Sequence, residues 1–335
     1  VRVLIIGGTR FMGYWTTWRA LLAGHEVTLL NRGATPDPFG GRVERLVADR
    51  TTPRFGEVLA GRAFDAAIDF AAYTGADAQG VVDTLRNRLG HYVMISSGQV
   101  YLVKQQPPAP ARETDYPGPL LPAPPRPEDT EDWEYGMGKR AAEDVLSTAW
   151  ERERFPATRI RIPIVNGERD RSGRLESYLW RILDGGPILL PDGDERRVRH
   201  VYSGAVARTL VDILGRQETF GQAYNLAQEE VPTLTELVRR AARLMGATPE
   251  IRSLPAASFR EAGVEPEKAF PFTGRWASLL DPRRAADQLG FRHEPLDEYL
   301  GRIIAAFLSN LPSTPPCNAG RGNELALAEH QEISA

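Results

Sequence analysis

Tyr135 and Lys139 stand four residues apart in Tyr135-Gly136-Met137-Gly138-Lys139. In a helix that spacing puts both side chains on one face. The chain holds ten tyrosines and three lysines, Lys104, Lys139 and Lys268, among 335 residues. Chance would place only about 0.1 such pairs in it. A phenol with a pKa near ~10 is a poor base at neutral pH. An ammonium beside it favours the phenolate and makes it usable. Such a base suits the removal of hydride from a secondary alcohol, because the hydroxyl proton must leave as well. Ser97, in Ile95-Ser96-Ser97-Gly98-Gln99-Val100-Tyr101, would bond the reacting oxygen and hold it near Tyr135. Ser97, Tyr135 and Lys139 form the expected catalytic set.

Hydride chemistry needs an acceptor, and the first residues suggest one. Gly7-Gly8-Thr9-Arg10-Phe11-Met12-Gly13 follows an apolar run and opens a helical pattern. Gly7 permits a tight turn, and Gly13 lets the helix pack closely. The helix amides and dipole suit a dinucleotide pyrophosphate. Expected contacts are Gly7, Thr9, Arg10, Phe11, Met12 and Gly13. Arg10 replaces the middle glycine of the usual spacing, so its side chain must turn away from the pyrophosphate or contact a phosphate. Asn31-Arg32-Gly33 closes the second strand, where an acidic residue would select NAD. Arg32, with Arg10, suits a 2′-phosphate instead. NADP is therefore expected, with NAD the alternative. Asp49, followed by Arg50, is placed to reach the adenine. Ala71, Tyr135, Lys139 and Ile162 complete the expected cofactor contacts, with Lys139 on the nicotinamide ribose.

These residues need a scaffold. Strands are predicted at 1–6, 26–30, 42–47, 66–70, 91–95 and 158–165, and helices at 11–23, 80–89 and 133–151. Strands that alternate with helices and are apolar on both faces indicate an α/β, doubly wound parallel sheet. Residues 105–127 hold nine of the 26 prolines and read as a long irregular surface loop. Beyond Gly167 the pattern becomes mixed helices with short strands, including 223–226 and a helix starting at Thr233. The expected division is 1–165, a smaller α/β substrate domain over 166–311, and an extended or mobile tail over 312–335.

Composition sets outer bounds. Apolar residues make up 42% and charged residues 25%, with a formal charge of −3, as in an ordinary globular protein. No excess of basic residues recruits nucleic acid or an acidic membrane. The single cysteine, Cys317, allows no intrachain disulfide, and no run is long enough to span a bilayer. A cytoplasmic location is expected. The five histidines show no metal-ligand spacing, so no metal is expected.

The glycine turn, Ser97 four residues before Tyr101, the Tyr135/Lys139 pair, Arg161-Ile162-Pro163-Ile164-Val165-Asn166-Gly167, and Arg196–Val201 together resemble the extended short-chain dehydrogenase/reductase superfamily. The similarity is to its NAD-dependent epimerase/dehydratase branch, over about residues 1–310. The resemblance implies a Rossmann-type domain, a small C-terminal substrate domain, Ser–Tyr–Lys catalysis and often a homodimer built through a four-helix bundle. The Arg10 variant of the turn is similar to a divergent subgroup that includes chloroplast RNA-binding proteins. Dehydratases of the superfamily carry an Asp-Glu pair where this chain has Gly98 and Gln99, and neither of these can eliminate water. What remains is epimerisation or reduction at a secondary hydroxyl or ketone of a sugar or nucleotide sugar. The alternatives are reduction of a non-sugar ketone or cyclitol, and a non-catalytic dinucleotide- or RNA-binding protein. Gln99, Arg196 and Arg275, the last with Arg283 beside it as a candidate, are the expected substrate contacts. Arg196 suits a diphosphate. His200 reads as a structural hydrogen-bonding residue.

Overall fold

Val3, Leu4, Ile5 and Ile6 are almost wholly buried, and a strand apolar on both sides needs cover on both faces. The computed structural model, which describes residues 1–311 and 320–333, provides it. In chain order the strands are β1 (Arg2–Ile6), β2 (Glu26–Asn31), β3 (Val43–Val47), β4 (Ala66–Asp69), β5 (Tyr92–Ser97) and β6 (Ala157–Ile162), followed by an edge strand, Ala223–Asn225. The helices between them are α1 (Phe11–Leu22), α2 (Arg54–Leu59), α3 (Gly75–Leu85), α4 (Gln99–Leu102) and α5 (Pro127–Glu153). All strand pairs of this sheet are parallel. Their spatial order is Ala223–Asn225, β6, β5, β4, β1, β2, β3. The chain winds one way from β1 and the other way from β4. The crevice beyond the ends of those two strands is where such sheets bind ligands. The expected α/β doubly wound sheet is thus the observed one.

Side-chain alternation assigns the two faces. Leu4, Ile6, Leu30, Ala67 and Met94 share a core with Phe55, Val81, Leu85 and Leu146 from α2, α3 and α5. Ile5 and Leu29 point the other way, toward Gly8 in the turn and Thr17 in the middle of α1, and the helix Ser203–Asp212 packs on α1.

Element boundaries moved for local reasons. α3 starts at Gly75 rather than residue 80. Thr74 Oγ1 accepts from the Asp77 N–H (3.2 Å) while Asp77 Oδ2 accepts from the Thr74 N–H (2.9 Å), a reciprocal cap. α3 ends at Leu85, because Arg86 takes ψ 132°. α5 starts at Pro127 rather than 133, because proline loses no bond in a first turn. The proline-rich segment 105–127 is largely irregular but anchored. Ala111 exchanges backbone bonds with Leu279 (2.7 Å) and Asp281 (2.8 Å), and Glu113 accepts from the Asn225 N–H (2.7 Å).

The chain forms two compact units. The first holds Val1–Val165 together with Val201–Ala227 and Ser278–His293. A single division at 165 does not capture this. The segment 201–227 supplies the sheet's edge strand and a helix on α1, and so clusters with the first unit. The second unit holds Asn166–His200, Gln228–Ala277 and the chain from Glu294. Its strands Ile188–Pro191 and Ile251–Leu254 pair in parallel, and its helix Leu234–Leu244 begins at a Thr233/Glu236 cap.

The tail corrects an expectation. Arg321–Ile333 is a helix, not an extended segment. Its Glu324 is fully buried, accepting from Arg181 Nε (2.9 Å) and from the Leu189 N–H (3.0 Å). That pair fixes the helix to the second unit. Residues 312–319 and 334–335 of the expected tail lie outside the described residues. No described helix is long and apolar enough to cross a membrane.

Candidate active site

The glycine turn is sterically determined. Gly7 has φ +84°, and a Cβ on Gly13 would lie 2.5 Å from the Gly7 carbonyl oxygen. Thr17 Oγ1 donates toward the carbonyl oxygens of Gly8 and Gly13, each at 2.8 Å, locking turn to helix. The first amides of α1 therefore face the crevice at the end of β1. Arg10 turns aside, and its Nε donates to Thr35 Oγ1 (2.8 Å). The side chain that replaces the middle glycine thus leaves the turn clear.

The crevice is a cavity of about 590 Å³, within the range of small-ligand sites. Gly7, Thr9, Arg10, Phe11, Met12, Gly13, Asn31, Arg32, Asp49, Arg50, Ala71, Tyr135, Lys139 and Ile162 all line it. Several are held by their own loops. Asn31 Oδ1 accepts from the Gly33 N–H (2.7 Å), which leaves the exposed Arg32 at the tip of a tight turn. Asp49 Oδ1 accepts from the N–H (2.9 Å) and hydroxyl (2.7 Å) of Thr51, and these bonds, helped by Arg32, hold its carboxyl below the usual range.

Arg50 is committed elsewhere. Its Nη1 lies 3.0 Å from both Asp69 oxygens, and its Nε lies 3.0 Å from Asp77 Oδ1. Burial would weaken its charge, but the two carboxylates outweigh burial and raise its pKa. Asp69 also accepts from the Tyr92 hydroxyl (2.8 Å) and the Ala71 N–H (2.8 Å). Arg50 therefore forms the cleft wall with its charge taken up by two carboxylates.

Tyr135 and Lys139 lie one turn apart on α5, and both line the cleft. The glycines between them let the helix sit close. A Cβ on Gly136 would lie 2.6 Å from Val103 Cγ1, and one on Gly138 would lie 2.5 Å from the Tyr73 carbonyl oxygen. Lys139 is 2% exposed. Two of its three N–H donors reach the carbonyl oxygens of Ala72 (2.7 Å) and Ile95 (2.8 Å). Burial pushes its pKa down to about 8, against the pull of Asp69. Nζ lies 4.6 Å from the Tyr73 ring centroid and 5.7 Å from that of Tyr135.

Other expected residues lie off this cleft lining. Ser97 ends β5, and its Oγ accepts from the Gln99 N–H (3.2 Å). Its neighbour Ser96 lines the cleft. Gln99 is buried, and its amide nitrogen donates to Asp132 Oδ1 (2.7 Å). Arg196 and Arg275 belong to the second unit. Arg196 lies 3.9 Å from Asp192 Oδ2, and Arg275 sits over the Trp276 ring at 4.4 Å. Arg283 pairs with Asp281 in the first unit. His200 is buried, 2.7 Å from Asn166 Nδ2, and burial drives its pKa down to about 3.

Sequence reasoning missed Tyr73, the Asp69–Arg50–Asp77 cluster and the charges beneath Ser96. The Ser96 hydroxyl donates to Glu143 Oε1 (2.6 Å), and Glu143 also accepts from Arg161 Nη2 (2.6 Å). Burial would raise the Glu143 pKa, but Arg161 outweighs it and holds the carboxyl below its usual range. Arg161 Nη1 bonds the Tyr101 hydroxyl (2.6 Å), which donates to Asn225 Oδ1 (3.0 Å). Glu143 stands four residues after Lys139 on the same helix, a spacing that could have signalled it.

A parallel sheet that reverses its winding at a glycine-lined crevice defines the Rossmann class of α/β proteins. Residues 3–227 match the NAD dependent epimerase/dehydratase family, and the chain belongs to that family. Binding of an NAD(P) dinucleotide is typical of its members. Over 84% of this chain and 77% of the relative, it is 26% identical to the 2′-dehydrokanamycin reductase of Streptomyces kanamyceticus. Over 88% of this chain and 75% of the relative, it is 24% identical to the chloroplast stem-loop binding protein of 41 kDa b of Arabidopsis thaliana. The fold is similar to that of a UDP-glucose 4-epimerase from Thermotoga maritima, with a TM-score of 0.73 and 16% identity, covering 93% of this chain and 100% of that one. A UDP-N-acetylglucosamine 4-epimerase from Bacillus cereus gives 0.71 at 17% identity, covering 94% and 99%.

Proposed function

We propose that this protein is an NADP-dependent oxidoreductase of sugar-type substrates, interconverting a secondary hydroxyl and a ketone. The observation that carries the reading is that Tyr135 and Lys139 share one cleft with the glycine turn. The turn fits a dinucleotide because Gly13 can carry no side chain and Arg10 is drawn off to Thr35. Gly7, Thr9, Met12 and Gly13 would hold the pyrophosphate at the start of α1. Arg32, with Arg10, would receive a 2′-phosphate. When bound, the nicotinamide supplies or accepts a hydride. Tyr135 gives its phenolic proton to the carbonyl oxygen during reduction, or takes the hydroxyl proton during oxidation. Lys139 stabilises the phenolate between those events. Ser97, at the end of β5, is assigned to orienting the substrate oxygen.

Net reduction is favoured over epimerisation by the NADP assigned to Arg32 and by the Streptomyces relative, which is named a 2′-dehydrokanamycin reductase. Gly98 and Gln99 supply no acid–base pair for dehydration. The reading is tested with Tyr135→Phe. Turnover should fall by at least about 100-fold, while dinucleotide affinity, followed by fluorescence titration, stays within a few-fold. Turnover close to that of the unaltered protein would refute the assigned acid–base role.

The Arabidopsis relative, named as a stem-loop binding protein, favours a second reading, RNA binding. That reading requires an affinity that falls steeply between about 50 and about 200 mM salt. The net charge of −3 weighs against it.

A further inference from the structure

Lys139 is almost fully buried, and burial favours its neutral form. The charged groups that face it come from four elements. Asp69 ends β4, Arg50 follows β3, Asp77 lies in α3, and Glu143 lies one turn further along α5. None of the three carboxylates belongs to Lys139 alone. Asp69 and Asp77 are paired with Arg50, and Glu143 with Arg161. The direct polar partners of Nζ are the carbonyl oxygens of Ala72 and Ile95. The face of Tyr73 lies 4.6 Å from Nζ, nearer than the ring of Tyr135 at 5.7 Å. The two rings stand 6.2 Å apart at 50°.

We propose that Tyr73 is a positioning residue whose ring face keeps the Lys139 ammonium charged and aimed at Tyr135. The negative face of an aromatic ring attracts a cation, and the attraction grows as water is withdrawn. Tyr73 presents its ring to Nζ at 4.6 Å, while the neighbouring Asp69 and Asp77 carboxylates are shared with Arg50. Close approach is built into the backbone. Gly138 lets α5 lie against the Tyr73 carbonyl, and Asp77 Oδ2 accepts from the Tyr73 N–H (2.9 Å). The contribution belongs to the ring, so phenylalanine should replace Tyr73 and leucine should not. The consequence for turnover rests on the catalytic reading above, whereas the contact between cation and ring does not.

The chain has three lysines, so NMR of protein labelled with [¹³Cε]lysine gives three titrating signals, and Lys139→Arg identifies the one from Lys139. Its midpoint should lie near pH 8 in the unaltered protein. Tyr73→Phe should keep it, and Tyr73→Leu should lower it by about half a unit to one unit. Tyr73 is 51% exposed, which favours folding of both variants, and unchanged Lys104 and Lys268 signals report an intact fold. An unmoved midpoint in Tyr73→Leu, or an equal drop in Tyr73→Phe, would overturn the proposal. The alkaline limb of kcat/KM should follow the NMR midpoint. A limb that stays fixed while the midpoint moves would leave the contact standing and contradict the catalytic reading instead.

Discussion

At the scale of single residues, charge decides what each side chain is free to do. The clearest contrast is between Arg50 and Arg32, which line the same cleft. Arg50 is held by Asp69 and Asp77, so a new anion would have to displace a buried carboxylate to use it. Arg32 is exposed at the tip of the Asn31 turn. Cofactor preference should therefore respond to Arg32. Replacing it with aspartate exchanges a phosphate partner for a ribose-hydroxyl acceptor. The ratio of NADP to NAD affinity should drop by about 10- to 100-fold, the worth of a charge-assisted hydrogen bond. A ratio that stays the same in paired titrations would remove Arg32 from phosphate recognition.

Residues at this scale were legible in the sequence where they act through neighbours in the chain. The turn from Gly7 to Gly13 and the pair Tyr135/Lys139 each lie within one helical turn or loop, so spacing alone places them. Lys139 also depends on Ala72, 67 residues away, and Arg50 on Asp69, 19 residues away. No local pattern reports such contacts. Ser97 was read as facing the reaction and keeps that role in the proposed function, while its neighbour Ser96 lines the cleft with its hydroxyl bound to Glu143. Successive residues of a strand point to opposite faces, and the two adjacent serines left that parity open.

At the scale of elements, a buried charge pair joins α5 to the sheet. Arg161 on β6 and Glu143 on α5 are 3% and 1% exposed, and they link Ser96, Tyr101 and Asn225. Such a pair adds little net stability, but removing one partner strands the other charge. Arg161→Leu should cost about 3–5 kcal/mol in urea unfolding, and the double variant with Glu143→Leu should recover much of that. A single variant as stable as the parent would show that water reaches Glu143. The pH sign follows from the depressed Glu143 pKa. Its contribution is full above the unfolded value near ~4.5 and is lost as pH falls through the lower folded value. Helix starts were misjudged for one reason at both sites. Pro127 and the Thr74–Asp77 segment have loop-like compositions, but each is suited to a first helical turn.

At the scale of the whole molecule, the first unit is assembled from three stretches of chain. Alternation of strands and helices over residues 1–165 made the sheet legible. The returning edge strand Ala223–Asn225 was legible as a strand, but not as part of that sheet, because nothing local states where a strand pairs. The helix Arg321–Ile333 was hidden for a related reason. Its fixing contact joins Glu324 to Arg181, 143 residues earlier, while the prolines and glycines just before it read as an extended tail. In the proposed function the cleft of the first unit carries hydride transfer, with Tyr135 moving the proton. The most direct test incubates the protein with NADPH deuterated at the transferable position and a set of keto-sugars, including dehydro-aminoglycosides, and reads the products by mass spectrometry. One deuterium is expected on the new carbinol carbon with the unaltered protein, and at least about 100-fold less product with Tyr135→Phe. Equal label from both proteins, or none from either although NADPH is bound, would contradict it.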